Sequence, residues 1–243
     1  MTPQLQTLWV YLAASPLLGL TLTLLAYQGA CWIYRRSGNH PVANPVLLSV
    51  SFVIILLQLS GTSYQAYFDG AQFVHFLLGP ATVALAIPLH AQFRKVRALL
   101  LPLLVALLAG SLTAILSAMA VARLLGASLP TVLSLAPKSV TTPIAMGISE
   151  TIGGIPSLTA GVVIVTGIIG AVGYRYLFQL LRVRDPAAQG FAIGLAAHGI
   201  GTARAIQVDQ QSGAFAALAM SLNGLLTALL VPLLIPLLGS WLA

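Results

Sequence analysis

Residues 98–122 read ALLLPLLVALLAGSLTAILSAMAVA, 25 positions without one charged side chain. A helix rises ~1.5 Å per residue, so about 20 apolar residues cross a hydrocarbon core of ~30 Å. This run meets that length with residues to spare. The rest of the chain has the same character: of its 243 residues 58% are hydrophobic and 6% charged, outside the range of soluble globular domains. The expected fold is an all-α polytopic integral membrane protein. It forms a single domain over residues 1–243 with seven or eight helical spans, some discontinuous or re-entrant.

Outward from this run, Met1 to Tyr34 carries a first span that stops at Arg35 and Arg36. It lacks the basic start of a cleavable secretory signal, so it reads as retained. Pro41 to Ser60 carries the second span and opens into residues 61–70, which contain Asp69. Ala71 to Phe93 carries the third and ends at Arg94, Lys95 and Arg97; these and Arg35-Arg36 mark the cytoplasmic side. Ser128 to Glu150 is interrupted by Pro130, Pro137 and Pro143, and either crosses or re-enters. Re-entry puts Arg182 and Arg184 on the cytoplasmic side and crossing puts them outside, so the positive-inside rule favours re-entry. Thr151 to Tyr174, Pro186 to Ala203 and Gln210 to Ala243 complete the set. Glycines at 161, 167, 170 and 173, and the pair Gly190 and Gly194, permit close helix approach within one chain or between copies. A homo-oligomer is expected.

A shift of 57 residues sets Pro80-Ala-Thr-Val against Pro137-Lys-Ser-Val, Ile87 against Ile144 and Gly110 against Gly167. An internal repeat is one reading and chance matching of apolar sequence the other. Interrupted apolar segments at matching places are the pattern of a transporter site built from broken helices.

The formal net charge of +7 comes from short basic clusters between apolar runs, which marks topology and argues against nucleic acid. The chain has no GxSxG, HExxH or phosphate-loop motif and only four acidic residues, which disfavours an enzyme. Cys31 stands alone in apolar sequence, and His40, His75 and His90 lack ligand-like neighbours. No cofactor or metal is expected.

The polar residues that remain fall in apolar surroundings. Lys138 lies between Pro137 and Pro143 with Ser139, Thr141 and Thr142 beside it. A lysine at the bilayer centre costs about 2.5 to 3.5 kcal/mol, so it needs a carboxylate, backbone carbonyls, water or an anionic ligand. Its alternative is to snorkel to an interface. Glu150 precedes the flexible pair Gly153 and Gly154, and either exchanges protons near Lys138 or is a loop carboxylate at the membrane surface. His198 is followed by Gly199, Gly201, Thr202 and Arg204. The glycines are expected to break the helix there, with a titratable imidazole and a carboxylate-binding guanidinium alongside. Thr82, between Pro80 and Pro88, gains interest only through its alignment with the Lys138 segment.

At these residues the sequence resembles the LrgB family, also called CidB-like or YohK-like. The blocks that carry the likeness are LLGPATVALAIPL at residues 77–89, APKSVTTPIAMGISETIGGIPSLTA at 136–160 and AAHGIGTARA at 196–205. The resemblance implies a multi-pass protein of the bacterial inner membrane that works with a small LrgA- or CidA-like membrane partner. It also implies an antiholin-like effect on murein hydrolases and autolysis. Plant relatives resemble plastid glycolate and glycerate carriers, and bacterial ones are linked to small carboxylates such as pyruvate.

The residues themselves favour a transporter of small monocarboxylates, of the glycolate, pyruvate or lactate class. Lys138, Ser139, Thr141, Thr142, Thr82, His198, Thr202 and Arg204 would bind the substrate, and Glu150 or His198 would couple a proton. The alternative is an antiholin-like regulator without transport of its own.

Overall fold

The structure, a computed structural model, describes residues 16–38, 40 and 43–239. Residues 1–15, 41, 42 and 240–243, which belong to the expected first, second and last spans, lie outside the described residues. Among the described residues the chain forms helices and no strands. In order these are α1 Pro16–Arg36, α2 Pro45–Ser60, α3 Tyr64–Phe76, α4 Leu78–Ala84, α5 Ala86–Ala91 and α6 Phe93–Ala98. They continue with α7 Leu100–Leu124, α8 Leu129–Leu135, α9 Thr142–Thr151, α10 Pro156–Leu180, α11 Pro186–Val208 and α12 Gln210–Leu237.

Among the described residues four helices are long and apolar enough to cross a membrane: Leu17–Arg36 within α1, then α7, α10 and α12. A fifth span results if Tyr64–Val74 and Gly79–Ala91, bent by 43°, count as one. The expected seven or eight spans are not confirmed among the described residues. Pro45–Ser60 is shorter than a full crossing, and the segments around Lys138 and His198 are folded back on themselves, as described below.

The chain divides into two compact units, Met1–Ala84 and Leu85–Ala243. In the first, Asn44 caps α2 by accepting from the N–H groups of Val46 and Leu47 at 2.9 and 3.2 Å. Helices α1 and α3 meet at Gly19, where an added Cβ would lie 2.6 Å from the carbonyl oxygen of Tyr67. Thr23 hydrogen bonds the Tyr67 hydroxyl at 2.6 Å across the same contact.

The second unit is built on α7, α10 and α12. Between α7 and α10 the chain enters as α8, breaks over residues 136–141, and returns as α9. The return is fixed by hydrogen bonds: Ile155 N–H donates to Ser134 Oγ at 2.7 Å, and Thr159 Oγ1 lies 2.9 Å from Ser134 O and 2.8 Å from Ser149 Oγ. So α10 starts beside the end of α8, and residues 129–151 form a hairpin. Gly154 is the close approach in that turn, because a Cβ there would run into Ser149 Oγ and sit 3.1 Å from Ser134 N. Gly153 supplies the turn's positive φ of 83°.

Helix α11 is a second hairpin. Its run is broken at Ala197 (φ −122°, ψ 17°) and His198 (φ 41°, ψ −135°). Past the break, a Cβ on Gly201 would lie 2.7 Å from Ala197 Cβ and 2.9 Å from Ile193 O. In a continuous helix residues 193 and 201 are about 12 Å apart, so the second arm lies back along the first. Contacts with α12 give the same directions. Gly190 and Gly194 meet the carbonyls of Ser212 and Ala216 in parallel order, whereas Ile206 meets Gly213 and Thr202 meets Ala216 in antiparallel order. The break therefore falls at Ala197 and His198, not at Gly199 and Gly201 as the sequence suggests. Gly201 serves instead to let the two arms touch, and a Cβ on Gly199 would meet Met220 Sδ at an ordinary 3.8 Å.

The hairpins enter from opposite ends. Lys95, just before α7, pairs with Asp185, just before α11, at 3.1 Å. Both residues therefore lie at one end of the unit, with the long helices α7 and α10 running away from it and back. The 129–151 hairpin opens at the far end and the 186–208 hairpin at the near end. Asp185 also caps α11: the Ala188 N–H at 2.9 Å, and then Lys95, hold its carboxyl below the usual carboxylate range.

Helices α7 and α10 are both 25 residues long with starts at 100 and 156. Gly110 and Gly167 both face α11, the first against Leu195 and the second against His198 and Ile200.

Gly190 and Gly194 thus pack within the chain, with no room for a side chain. Gly194→Ala is expected to lower the thermal midpoint of the detergent-solubilised protein, at a cost of about 1 to 3 kcal/mol for overpacking. Gly173→Ala, in open space, should leave the midpoint unchanged or slightly raise it. Equal midpoints for Gly194→Ala and wild type would contradict the packing described.

Candidate functional site

The two hairpin tips meet at one side chain. Asn223 Nδ2 donates to the carbonyl oxygens of Ser139 and Leu195, at 3.1 Å each. Ser139 lies in the break of the first hairpin and Leu195 two residues before Ala197, where the second one breaks. Asn223 Oδ1 accepts from Ser111 Oγ at 2.6 Å and from Thr227 Oγ1 at 3.3 Å. Asn223 is the fourteenth of the 28 residues of α12, and Ser111 the twelfth of the 25 of α7. The cluster is buried and lies at the middle of both helices.

A helix that breaks in apolar surroundings leaves carbonyls without intrahelical partners, and each costs free energy unless another donor reaches it. Asn223 supplies a donor to each break. Sequence reading missed it and its partner Ser111. The available signal was an amide in the otherwise charge-free run 210–243, where a polar group needs a partner.

Lys138 and Ser139 stand at the first tip. Lys138 is half-buried, its Nζ donates to Ser139 Oγ at 3.2 Å, and among the described residues no carboxylate lies within 4.0 Å of it. Pro137 is fully buried beside it. Thr141 takes an extended conformation before α9 (φ −63°, ψ 146°), and the side chains of Thr141 and Thr142 are partly buried. The start of α9 therefore brings its partial positive charge to the tip that holds the ammonium. Pro143 occupies the first turn of α9, where its missing N–H is tolerated.

His198 stands at the second tip, 3% exposed, with Nε2 2.9 Å from Val163 O of α10. Its positive φ is unusual for a residue with a side chain and costs on the order of 1 to 3 kcal/mol. Thr202 Oγ1 donates back to His198 O at 2.8 Å, across the break that strains it. Arg204 is buried two turns beyond the break and lines a cleft with Tyr174 and Arg182. Glu150 is exposed at the end of α9 and makes no ion pair with Lys138. Pro80 and Thr82 belong to α4 of the first unit, and the Thr82 side chain lies outside the described residues. Among the described residues no three His, Cys, Asp or Glu side chains gather to hold a metal.

These features define a class: a multi-pass, all-helical membrane protein with two hairpins that open at opposite ends and meet at mid-depth. The LrgB-like family matches residues 23–237, and the chain belongs to this family. An uncharacterised Bacillus subtilis (strain 168) protein, YwbG, is 35% identical over 211 residues, covering 87% of this chain and 93% of its own. Antiholin-like protein LrgB of Bacillus cereus (strain B4264) is 32% identical over 214 residues, with 88% and 93% coverage. No solved structure gives a significant match.

Asn223→Leu keeps the branched shape of the side chain, with slightly more bulk, and removes the amide that donates to the Ser139 and Leu195 carbonyls and accepts from the Ser111 hydroxyl. The expected loss is about 2 to 4 kcal/mol, read as a lower thermal midpoint in detergent and faster proteolysis near residues 136–141 and 197–198. Ser117→Ala, at an exposed position of α7, should leave both readings unchanged.

Proposed function

We propose that this chain is an antiholin-like protein of the bacterial inner membrane that restrains murein hydrolase activity, acting with a small LrgA- or CidA-like partner. The name of its Bacillus cereus relative supports this reading more directly than it supports a carrier.

A second reading, transport of small monocarboxylates, rests on one observation. A half-buried Lys138 ammonium stands at mid-depth, in the break that precedes α9, with no carboxylate within 4.0 Å among the described residues. Such a charge in apolar surroundings calls for an anion. A carboxylate would meet the ammonium, the Ser139, Thr141 and Thr142 hydroxyls and the positive end of α9. Re-entrant hairpins opening to the two sides fit alternating access to such a midplane site. His198 is the nearer candidate for a coupled proton, since Glu150 is exposed. The readings are compatible, because a protein that moves a small acid across the membrane also changes the conditions in which wall hydrolases act.

Labelled pyruvate and glycolate offered to proteoliposomes, with and without the small partner, test the second reading. Saturable uptake that falls at least about tenfold in Lys138→Ala and is partly kept in Lys138→Arg is expected. If neither acid enters under any condition, the carrier reading fails. The first reading is tested in cells lacking their own LrgB-family protein, where this chain should slow detergent-induced lysis. Unaltered lysis with the partner present would refute it.

A further inference from the structure

The arginine cleft at the open end of the second hairpin is separate from the Lys138 tip, and neither reading above uses it. Its volume is about 630 Å³, within the ~300–1,000 Å³ of small-ligand sites. Arg175, Arg182, Arg184 and Arg204 all line it, and none of its ten lining residues is acidic. The two carboxylates next in sequence are committed elsewhere: Asp185 to Ala188 N–H and Lys95, Asp209 to Ser212 N–H at 2.8 Å. Arg175, Arg182 and Arg184 bring three positive charges to one cleft beside the buried Arg204, and like charges so placed favour an anion.

Two further features mark the cleft as built. Arg204 is 6% exposed, a depth at which arginine is seldom found. Arg182 holds φ at 54°, in the turn that ends α10, where Val183 N–H reaches back to Phe178 O at 3.0 Å. Glycine is the usual residue in that position, and a side chain there is strained. Gln189 Nε2 ties the same turn down by donating to Val183 O at 2.6 Å. The backbone thus keeps an arginine where glycine is easier, in a turn pinned toward the cleft.

The cleft lies at the end of the unit that carries Arg94, Lys95 and Arg97, as the Lys95–Asp185 pair requires. By the positive-inside rule this is the cytoplasmic end. Basic pockets between helices on that side are suited to anionic headgroups, and the guanidinium fork matches phosphate in a bidentate way.

We propose that the cleft formed by Arg175, Arg182, Arg184 and Arg204 binds a phosphate group carrying net negative charge, presented by an anionic phospholipid of the inner leaflet or by a small phosphorylated solute. The bound group joins the end of α10 to the second arm of α11, which carries Arg204, and so steadies the hairpin whose tip reaches Asn223.

The test is the thermal midpoint of the full chain in detergent, titrated with short-chain phosphatidylglycerol, short-chain phosphatidylcholine and sn-glycerol 3-phosphate. Phosphatidylglycerol should raise the midpoint, and phosphatidylcholine should not. The half-maximal concentration should rise roughly tenfold for each arginine removed in Arg175→Gln and Arg184→Gln. Arg182→Gly should keep or raise the ligand-free midpoint, because its φ suits glycine, while losing the shift. That pair of readings separates ligand binding from folding, even if Arg204→Gln proves unstable. A shift with sn-glycerol 3-phosphate that is lost in the same variants assigns the site to a soluble phosphate compound. An equal shift with phosphatidylcholine, a shift that survives the substitutions, or no shift with any probe overturns the proposal.

Discussion

The side-chain amide of Asn223 is the contact on which the second unit turns. Two helices break inside apolar protein, and each break strips backbone carbonyls of their partners. One primary amide donates to a carbonyl at each break while its own oxygen is held by Ser111 and Thr227. The hairpins need this donor to end where they do. With a hydrocarbon side chain at 223, the Ser139 and Leu195 carbonyls would lose this donor. Glycine contributes by steric permission, since Gly190, Gly194 and Gly201 let the arms of α11 lie against α12 and against each other.

The same geometry accounts for how the polar residues sort. Ser134, Ser149 and Thr159 hold the base of the first hairpin, and Thr202 closes the turn of the second. Their hydroxyls are used in folding. Lys138 is different, because it stands at a tip, donates to Ser139 Oγ, and among the described residues has no carboxylate within 4.0 Å. Arg204 sits near His198 in sequence but faces the other way along the returning arm, toward α10's end. Reversal of the chain at His198 thus divides a motif that is continuous in sequence into two places with separate chemistry.

Much of this was legible beforehand, and the misses have physical causes. Composition and the charge-free runs announced a helical membrane protein, and the prolines at 137 and 143 marked the break between α8 and α9. The second break was placed on Gly199 and Gly201 because glycine is the residue that tolerates positive φ. In the structure His198 takes that conformation, held by Val163 O on one side and Thr202 on the other. The run Pro186 to Ala203 was read as a crossing because hydropathy and length do not record direction: two short antiparallel arms have the same composition as one helix. Asn223 passed unnoticed because a single amide barely lowers the hydropathy of a long apolar run, and its importance lies in what it reaches.

The reversal in α11 also constrains the order of assembly. Neither arm is long enough to cross a bilayer, so the pair gains its place only by lying against a partner. That partner is α12, which is synthesised after it. While the ribosome is still making α12, the two arms have their glycine faces uncovered and their broken end without Asn223, and they must wait near the membrane surface. Whatever receives the nascent chain has to hold this stretch until α12 has emerged as far as Asn223, so a helix made later completes the centre of the unit.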